Sequence, residues 1–218
     1  MNFKKLLLVL PSVAVMSSGC VTSDSPIVLL NNQAVDAQCA IDNEVSISQG
    51  SLDLSVGVGY IAHFAVESNL QAISTDVGGD VVSGPDQNDF VVERVDITYS
   101  NPAGGAAPAA ATLPIHFVIR AGASAENTNL GLNLLPAEAR AALAGVGSAG
   151  TIVVATVSVT GSLRSGRTFT SNEVNFPIEV FESGFSGCAA GETLELTGPC
   201  GGIGAQDGTF PVCVPVTP

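Results

Sequence analysis

Tryptophan is missing from this 218-residue chain, tyrosine occurs twice, and aromatic residues make up only 5%. A core must therefore be built mainly from Val, Leu, Ile and Ala. With only Tyr60 and Tyr99 besides phenylalanine, the aromatic platforms that a carbohydrate cleft between paired carboxylates would need are scarce. Basic residues are also few. Both lysines, Lys4 and Lys5, lie in the first five residues, and from residue 20 onward five arginines (Arg94, Arg120, Arg140, Arg164 and Arg167) face 20 Asp and Glu, a net charge of −15. A surface of that sign repels nucleic acid and anionic headgroups, so no nucleic-acid partner is expected.

Catalytic signatures are lacking too. His63 and His116 are the only side chains suited to physiological acid–base work, and each reads as an exposed strand residue. A weak metal pair would need them to approach across a sheet. No G-x-S-x-G, H-E-x-x-H, P-loop or G-x-G-x-x-G motif occurs, and "GGIG" at 201–204 reads as a turn. The acidic stretch 74–89 holds Asp76, Asp80, Asp86 and Asp89, but its spacing matches no EF-hand and reads as a solvated loop. No cofactor, no metal and no enzymatic activity are expected.

The chain does have a strongly asymmetric start. Lys4 and Lys5 form a positive segment, "LLLVLPSVAVM" (6–16) an apolar one, and "SSG" (17–19) a run of small residues. That is the pattern of an export signal. As a helix, this eleven-residue run would reach only about 16 Å, half of a bilayer core. The boundary Ser17-Ser18-Gly19-Cys20 resembles the lipobox of bacterial lipoproteins. The resemblance implies cleavage between Gly19 and Cys20 and acylation of Cys20. It also implies stable membrane attachment, since two or more acyl chains anchor where one is marginal. Val21, rather than Asp, follows the cysteine, which by the same resemblance implies the outer membrane. The alternative is an ordinary signal peptide with a cysteine nearby. Residues 1–19 are thus read as signal peptide and 20–39 as lipidated N-terminus and tether.

Four cysteines remain: Cys39, Cys188, Cys200 and Cys213. An even number in an exported chain suggests two disulfides, with three possible connectivities. Their gaps are too long for the close pairs of a zinc site. Cys39–Cys188 with Cys200–Cys213 is the favoured pairing.

Apolar residues reach 46%, with 24 Gly and 12 Pro, so β-branched strands separated by turns are expected. Alternation in 51–70 places Leu52, Leu54, Val56, Val58, Tyr60, Ala62, Phe64 and Val66 on one face, giving one long strand or two in line, bent at Gly57 and Gly59. Residues 90–100 form a strand with Val91, Val95, Ile97 and Tyr99 on one side; 113–121 form another with Ile115, Phe117 and Ile119 inward. "PAEARAALA" (136–144) is the one good helix, and 150–181 a hairpin whose Pro177 belongs at an edge or bulge. The predicted architecture is all-β: an antiparallel immunoglobulin-like β-sandwich over 40–182 with one short helix and a disulfide-rich C-terminal tail over 183–218.

The leader, "GSLDLSVGVGY" with "VESNL", the "VTGSLRSGRTFTSNEVNFPIEV" hairpin and the "PC…VC" tail together resemble a group of uncharacterised outer-membrane lipoproteins from myxobacteria-like bacteria. That likeness implies architecture and location but no activity. The expected role is a non-catalytic, lipid-anchored structural or interaction module of the cell envelope, contacting the membrane through its anchor and possibly an envelope protein. The alternative is a surface-exposed binding protein or adhesin that uses the loops at 71–89 and 101–131.

Overall fold

The computed structural model describes residues 25–36, 38–73, 75–82, 86–195 and 205–216. The leader, Gly19, Cys20, Cys200 and the "GGIG" turn lie outside the described residues, as do 74 and 83–85 of the acidic loop.

Half of the described residues are strand. In chain order the elements are β1 (Ile27–Val35), β2 (Ile41–Ile47), β3 (Gly50–Asp53), β4 (Ile61–Ser68), β5 (Thr75–Val77), β6 (Asp80–Val82), β7 (Phe90–Ser100), β8 (Ala111–Ile119) and β9 (Asn129–Asn133). Then follow α1 (Ala137–Ala142), β10 (Thr151–Leu163), β11 (Thr168–Thr170), β12 (Val174–Phe181), β13 (Glu192–Glu195) and β14 (Val212–Pro215). One sheet runs β2-β1-β4-β9 and a second β3-β12-β10-β7-β8, with β11 extending β10; β5-β6 and β13-β14 are two-stranded ribbons. All named pairings are antiparallel except β3 with β12.

Both large sheets contribute to one buried core. Ile27, Leu29, Phe64 and Val66 come from the first, and Val95, Ile97, Val157, Phe176 and Ile178 from the second. Phe64 meets Phe176 edge-on with ring centroids 6.4 Å apart, joining the sheets through one aromatic contact. Asn172 makes a polar link. Its Oδ1 accepts the Leu29 N–H at 2.7 Å, and its Nδ2 donates to the Leu29 carbonyl at 2.9 Å. The β1–β4 register shifts between Leu29 and Asn32, so a side-chain amide from the other sheet serves backbone groups beside that break.

Several expected elements fall where the residue pattern places them. β7 covers 90–100, and β10 and β12 pair from Thr151↔Val180 to Val157↔Val174. Pro177 lies just before the stretch that β3 covers, Ile178–Phe181, so its missing N–H faces an edge that β3 does not occupy. The helix follows Pro136 and ends at Ala142 with Leu143 as its C-cap; Gly145, φ 89°, lies in the turn just beyond.

Other expectations need correction. Residues 27–35 are not tether: β1 is central in its sheet, and Ile27 and Leu29 are fully buried. The folded part therefore begins 13 residues before the expected boundary at 40. The alternation over 51–70 is neither one strand nor two in line, because β3 and β4 belong to different sheets. Between them the chain turns on Asp53, whose backbone carbonyl accepts the Gly57 N–H at 2.7 Å. A Cβ at Gly57 would lie 2.4 Å from Leu52 Cδ1 and 2.9 Å from the Asp53 carbonyl oxygen, so only glycine fits. Val58, expected inward, is 68% exposed on this turn. In β7 the residue facing the core is Val92, not Val91, because a bulge shifts the register between Val92 and Arg94.

Candidate functional site

The tail is part of the body rather than an appendage. Ala205 is buried and Gln206 bridges to Leu52. Gln206 fastens the tail to β4: its Oε1 accepts the Ile61 N–H at 3.0 Å and its Nε2 donates to the Ile61 carbonyl at 2.8 Å. Asp207 adopts a left-handed backbone, φ 53°, a conformation Asp tolerates better than most residues. There it clasps Ser51 twice, donating its N–H to the Ser51 carbonyl at 3.0 Å and accepting the Ser51 N–H on Oδ1 at 2.9 Å. Its Oδ2 accepts the Tyr60 hydroxyl at 3.1 Å. Burial, and then the neighbouring Asp207 carboxylate, push the Tyr60 phenol well above its ordinary pKa, so Tyr60 stays a neutral donor. Gly50 makes room for it, since a Cβ there would fall 2.3 Å from the Tyr60 ring.

Beside this clasp lies a cavity of about 530 Å³. The end of β1, the start and end of β2, the start of β4 and the 206–209 turn surround it. Its apolar wall comprises Ala34, Val35, Ile41, Ile47 and Ile61; Gln33, His63, Gln206, Asp207 and Thr209 supply the polar groups. Gln33 is only 4% exposed, and its Oε1 has no hydrogen-bond partner among the described residues. The site arises from a register shift between Gln33 and Ala34 at the β1–β2 pairing, which bends the ribbon at this point. Gln33 and the docked tail were missed by sequence reasoning. Gln33 is the last of three adjacent polar residues in "IVLLNNQAV", and neither they nor the Gly-rich tail carry a periodic signal.

The two histidines are not brought together. His63 is half-buried on β4, and His116 is exposed on β8, an edge strand of the other sheet. Burial lowers the His63 pKa, so its ring is neutral at pH 7. Among the described residues no cluster of three or more His, Cys, Asp and Glu could hold a metal ion. In the acidic loop, Asp86 Oδ2 accepts the Ile73 N–H at 2.6 Å, and Asp89, 1% exposed, accepts the N–H groups of Asp86 and Ala121. These carboxylates tie the loop to its own backbone, and Arg120 stands 3.8 Å from Asp89. Asp89 is thus a buried organising residue, not part of a solvated loop.

The favoured cysteine pairing is corrected. Cys188 is bonded to Cys213, which excludes Cys39–Cys188 and Cys200–Cys213 alike. The reason is the β13–β14 ribbon. It runs back antiparallel, with Leu194 opposite Cys213, and returns the chain end to the connector that follows β12. Cys39 is also disulfide-bonded, and it lines the cavity. Among the described residues no helix is long and apolar enough to cross a membrane. Compared with known protein families, curated proteins and solved structures, the chain matches none.

Proposed function

We propose that this chain is a non-catalytic lipoprotein, held at the outer membrane by acyl groups on Cys20, with its β domain acting as a structural or interaction module of the cell envelope. The observation that carries this reading is the spacing between the lipobox-like "SSGC" and the first core strand. Ile27, fully buried, stands seven residues after Cys20. Both lysines and the apolar run lie upstream of Cys20, and all 20 carboxylates downstream. Seven residue steps reach at most about 25 Å, so the domain would sit close against the surface that holds the lipid.

An immunoglobulin-like topology is part of this proposal. The order β12-β10-β7-β8 corresponds to strands G, F, C and C′, and β1-β4-β9 to A, B and E, on the two sheets of such a sandwich. The parallel β3–β12 pair and the extra edge strand β2 are additions to that scheme.

The tether also gives the domain a direction. Ile27 pairs with Ser68, while Val35 and Ile61 lie at the other end of their strands. Tyr99 donates to the Leu134 carbonyl at 2.8 Å, and Leu134 to the Tyr60 carbonyl at 2.7 Å, so the β7–β8 loop belongs to the end away from the tether. That loop, largely exposed from Pro102 to Ala107, favours the adhesin reading if the domain faces outward. Protease treatment of whole cells separates the two: cleavage within 101–110 supports a surface binding protein, and protection supports the periplasmic module. The anchor is tested by detergent phase partition. Unaltered protein is expected in the detergent phase and Cys20→Ser in the aqueous phase; a Cys20→Ser protein that stays with detergent would contradict lipid tethering.

A further inference from the structure

The outer face of the second sheet changes character along its length. Thr156 and Asn175, a cross-strand pair, join their side chains at 2.6 Å, and Thr98 lies beside Thr156 on β7. Toward the start of β10 the polar residues give way. Val154 stands opposite Pro177 and Ile152 opposite Glu179, with Phe181 two residues further along β12. These residues alternate with the buried Val153, Ala155, Ile178 and Val180, so they share the outward side. The tail adds Phe210, whose ring centroid lies 6.1 Å from that of Phe181. Ile152 is 42% and Phe210 46% exposed; Val154, Pro177 and Phe181 are half-buried. Single exposed apolar residues are ordinary, but apolar residues from two strands and the tail gathered at one end of a face mark a contact surface.

Glu179 stands within this patch. It is exposed, and among the described residues no arginine lies within ion-pair distance of it. Glu179 and Asp207 together border an open recess of about 320 Å³, beside Gln49, Gly50 and Ser51.

We propose that this face docks a protein segment that carries an arginine or lysine between apolar residues. The cation enters the recess toward Glu179 and Asp207, and the flanking apolar side chains lie on Ile152, Val154, Phe181 and Phe210. Charge decides the occupant. From Cys20 onward the chain carries a net charge of −15 and no lysine, so a second copy laid on the same face would bring like charges together. Anionic lipid and nucleic acid meet the same repulsion. A cation set among apolar groups complements both features of the face. The patch lies at the end of the domain away from Ile27: Asn101, at the start of the β7–β8 loop, donates its Nδ2 to Thr151 Oγ1 at 3.0 Å. The inference rests on the domain being an interaction module, but not on the lipid anchor.

The test uses the full chain carrying Cys20→Ser, free of detergent, so that a failed anchor and a failed docking surface are told apart. The probes are the blocked peptide acetyl-Leu-Phe-Arg-Phe-Leu-amide and the same peptide with glutamate in place of arginine. In an NMR titration the arginine peptide is expected to shift the methyl resonances of Ile152 and Val154 saturably, while Val45, exposed on the other sheet, stays unmoved. The glutamate peptide should bind at least about fivefold more weakly, and Glu179→Lys should weaken the arginine peptide about fivefold. Should that variant fail to fold, the comparison of the two peptides on the parent chain decides. Absence of saturable shifts at Ile152 and Val154, an equal shift of Val45, equal affinity for the two peptides, or unchanged affinity of folded Glu179→Lys would each overturn the proposal.

Discussion

At the scale of single residues, polar side chains hold the domain together at its irregular points. Asn172 and Gln206 each use one amide to satisfy both backbone groups of a strand residue, Leu29 and Ile61. Replacing Asn172 by Ala would leave two backbone groups at the edge of the core without partners, and should cost about 2–3 kcal/mol. Denaturant unfolding of the variant and its parent measures this, and a loss within 0.5 kcal/mol, the size of an ordinary surface substitution, would contradict it. Asp53 plays a similar part in the turn between β3 and β4. Its side chain is fully buried, and Oδ1 accepts the N–H groups of Ser55 at 2.9 Å and Ser183 at 3.0 Å. Burial pushes its carboxyl up, but the bonds from Ser183 and Ser55 outweigh burial and hold it below the usual carboxylate range. The unfolded chain then binds the proton more readily than the folded one. Stability contributed by Asp53 is complete above its unfolded pKa of about 3.9 and is lost as pH falls through the lower folded value. Asp53→Asn should flatten this part of the stability–pH curve below pH 4, as followed by thermal melting between pH 2 and 6.

At the scale of elements, the bulges matter most. The β7–β10 register shifts between Thr160 and Gly161, and a Cβ at Gly161 would lie 2.1 Å from the Val91 carbonyl oxygen. The contact is backbone, not a movable side chain, so Gly161→Ala should cost about 2–3 kcal/mol, measured by the shift in denaturant midpoint. The same bulges mark where the residue pattern misleads. Strict alternation predicts β7 to the residue but turns Val91 inward, because it cannot see the extra residue that brings Val92 to the core. The β10–β12 hairpin and α1 are legible because their signals are local: long alternation, a Pro start and a Gly just beyond the end. The break between β3 and β4 is hidden because Leu54, Val56 and Val58 continue the period through a turn that bonding to Asp53 creates. β1 is hidden for the opposite reason: Asn31, Asn32 and Gln33 interrupt its apolar run, yet Asn32 and Gln33 are buried. Cysteine spacing alone could not select Cys188–Cys213, since that pairing depends on the β13–β14 ribbon. Closing this 25-residue loop restricts the unfolded tail, and the Cys188→Ser/Cys213→Ser double variant should lose about 3 kcal/mol by the chain-entropy model, read by urea unfolding under non-reducing conditions.

At the scale of the whole molecule, the two ends of the β domain differ. One carries Ile27 and Ser68; the other carries the cavity, the Tyr60–Asp207 clasp and the exposed β7–β8 loop. A domain fixed by its N-terminus would present that second end away from the membrane, where a ligand or a partner protein can reach it. The candidate cavity was not legible in the sequence, because its residues come from positions 33–47, 61–63 and 206–209, joined only by the bend in β1 and the docking of the tail. The proposed membrane attachment, by contrast, rests on residues 4–20, where composition changes sharply within a few positions. It is tested most directly by mass spectrometry of the N-terminal peptide of protein taken from the bacterial envelope. The proposed attachment predicts a mature chain that begins at Cys20, with diacylglycerol on the thiol and an acyl group on the new amine. An unmodified Cys20, or a mature N-terminus at any other residue, would contradict it.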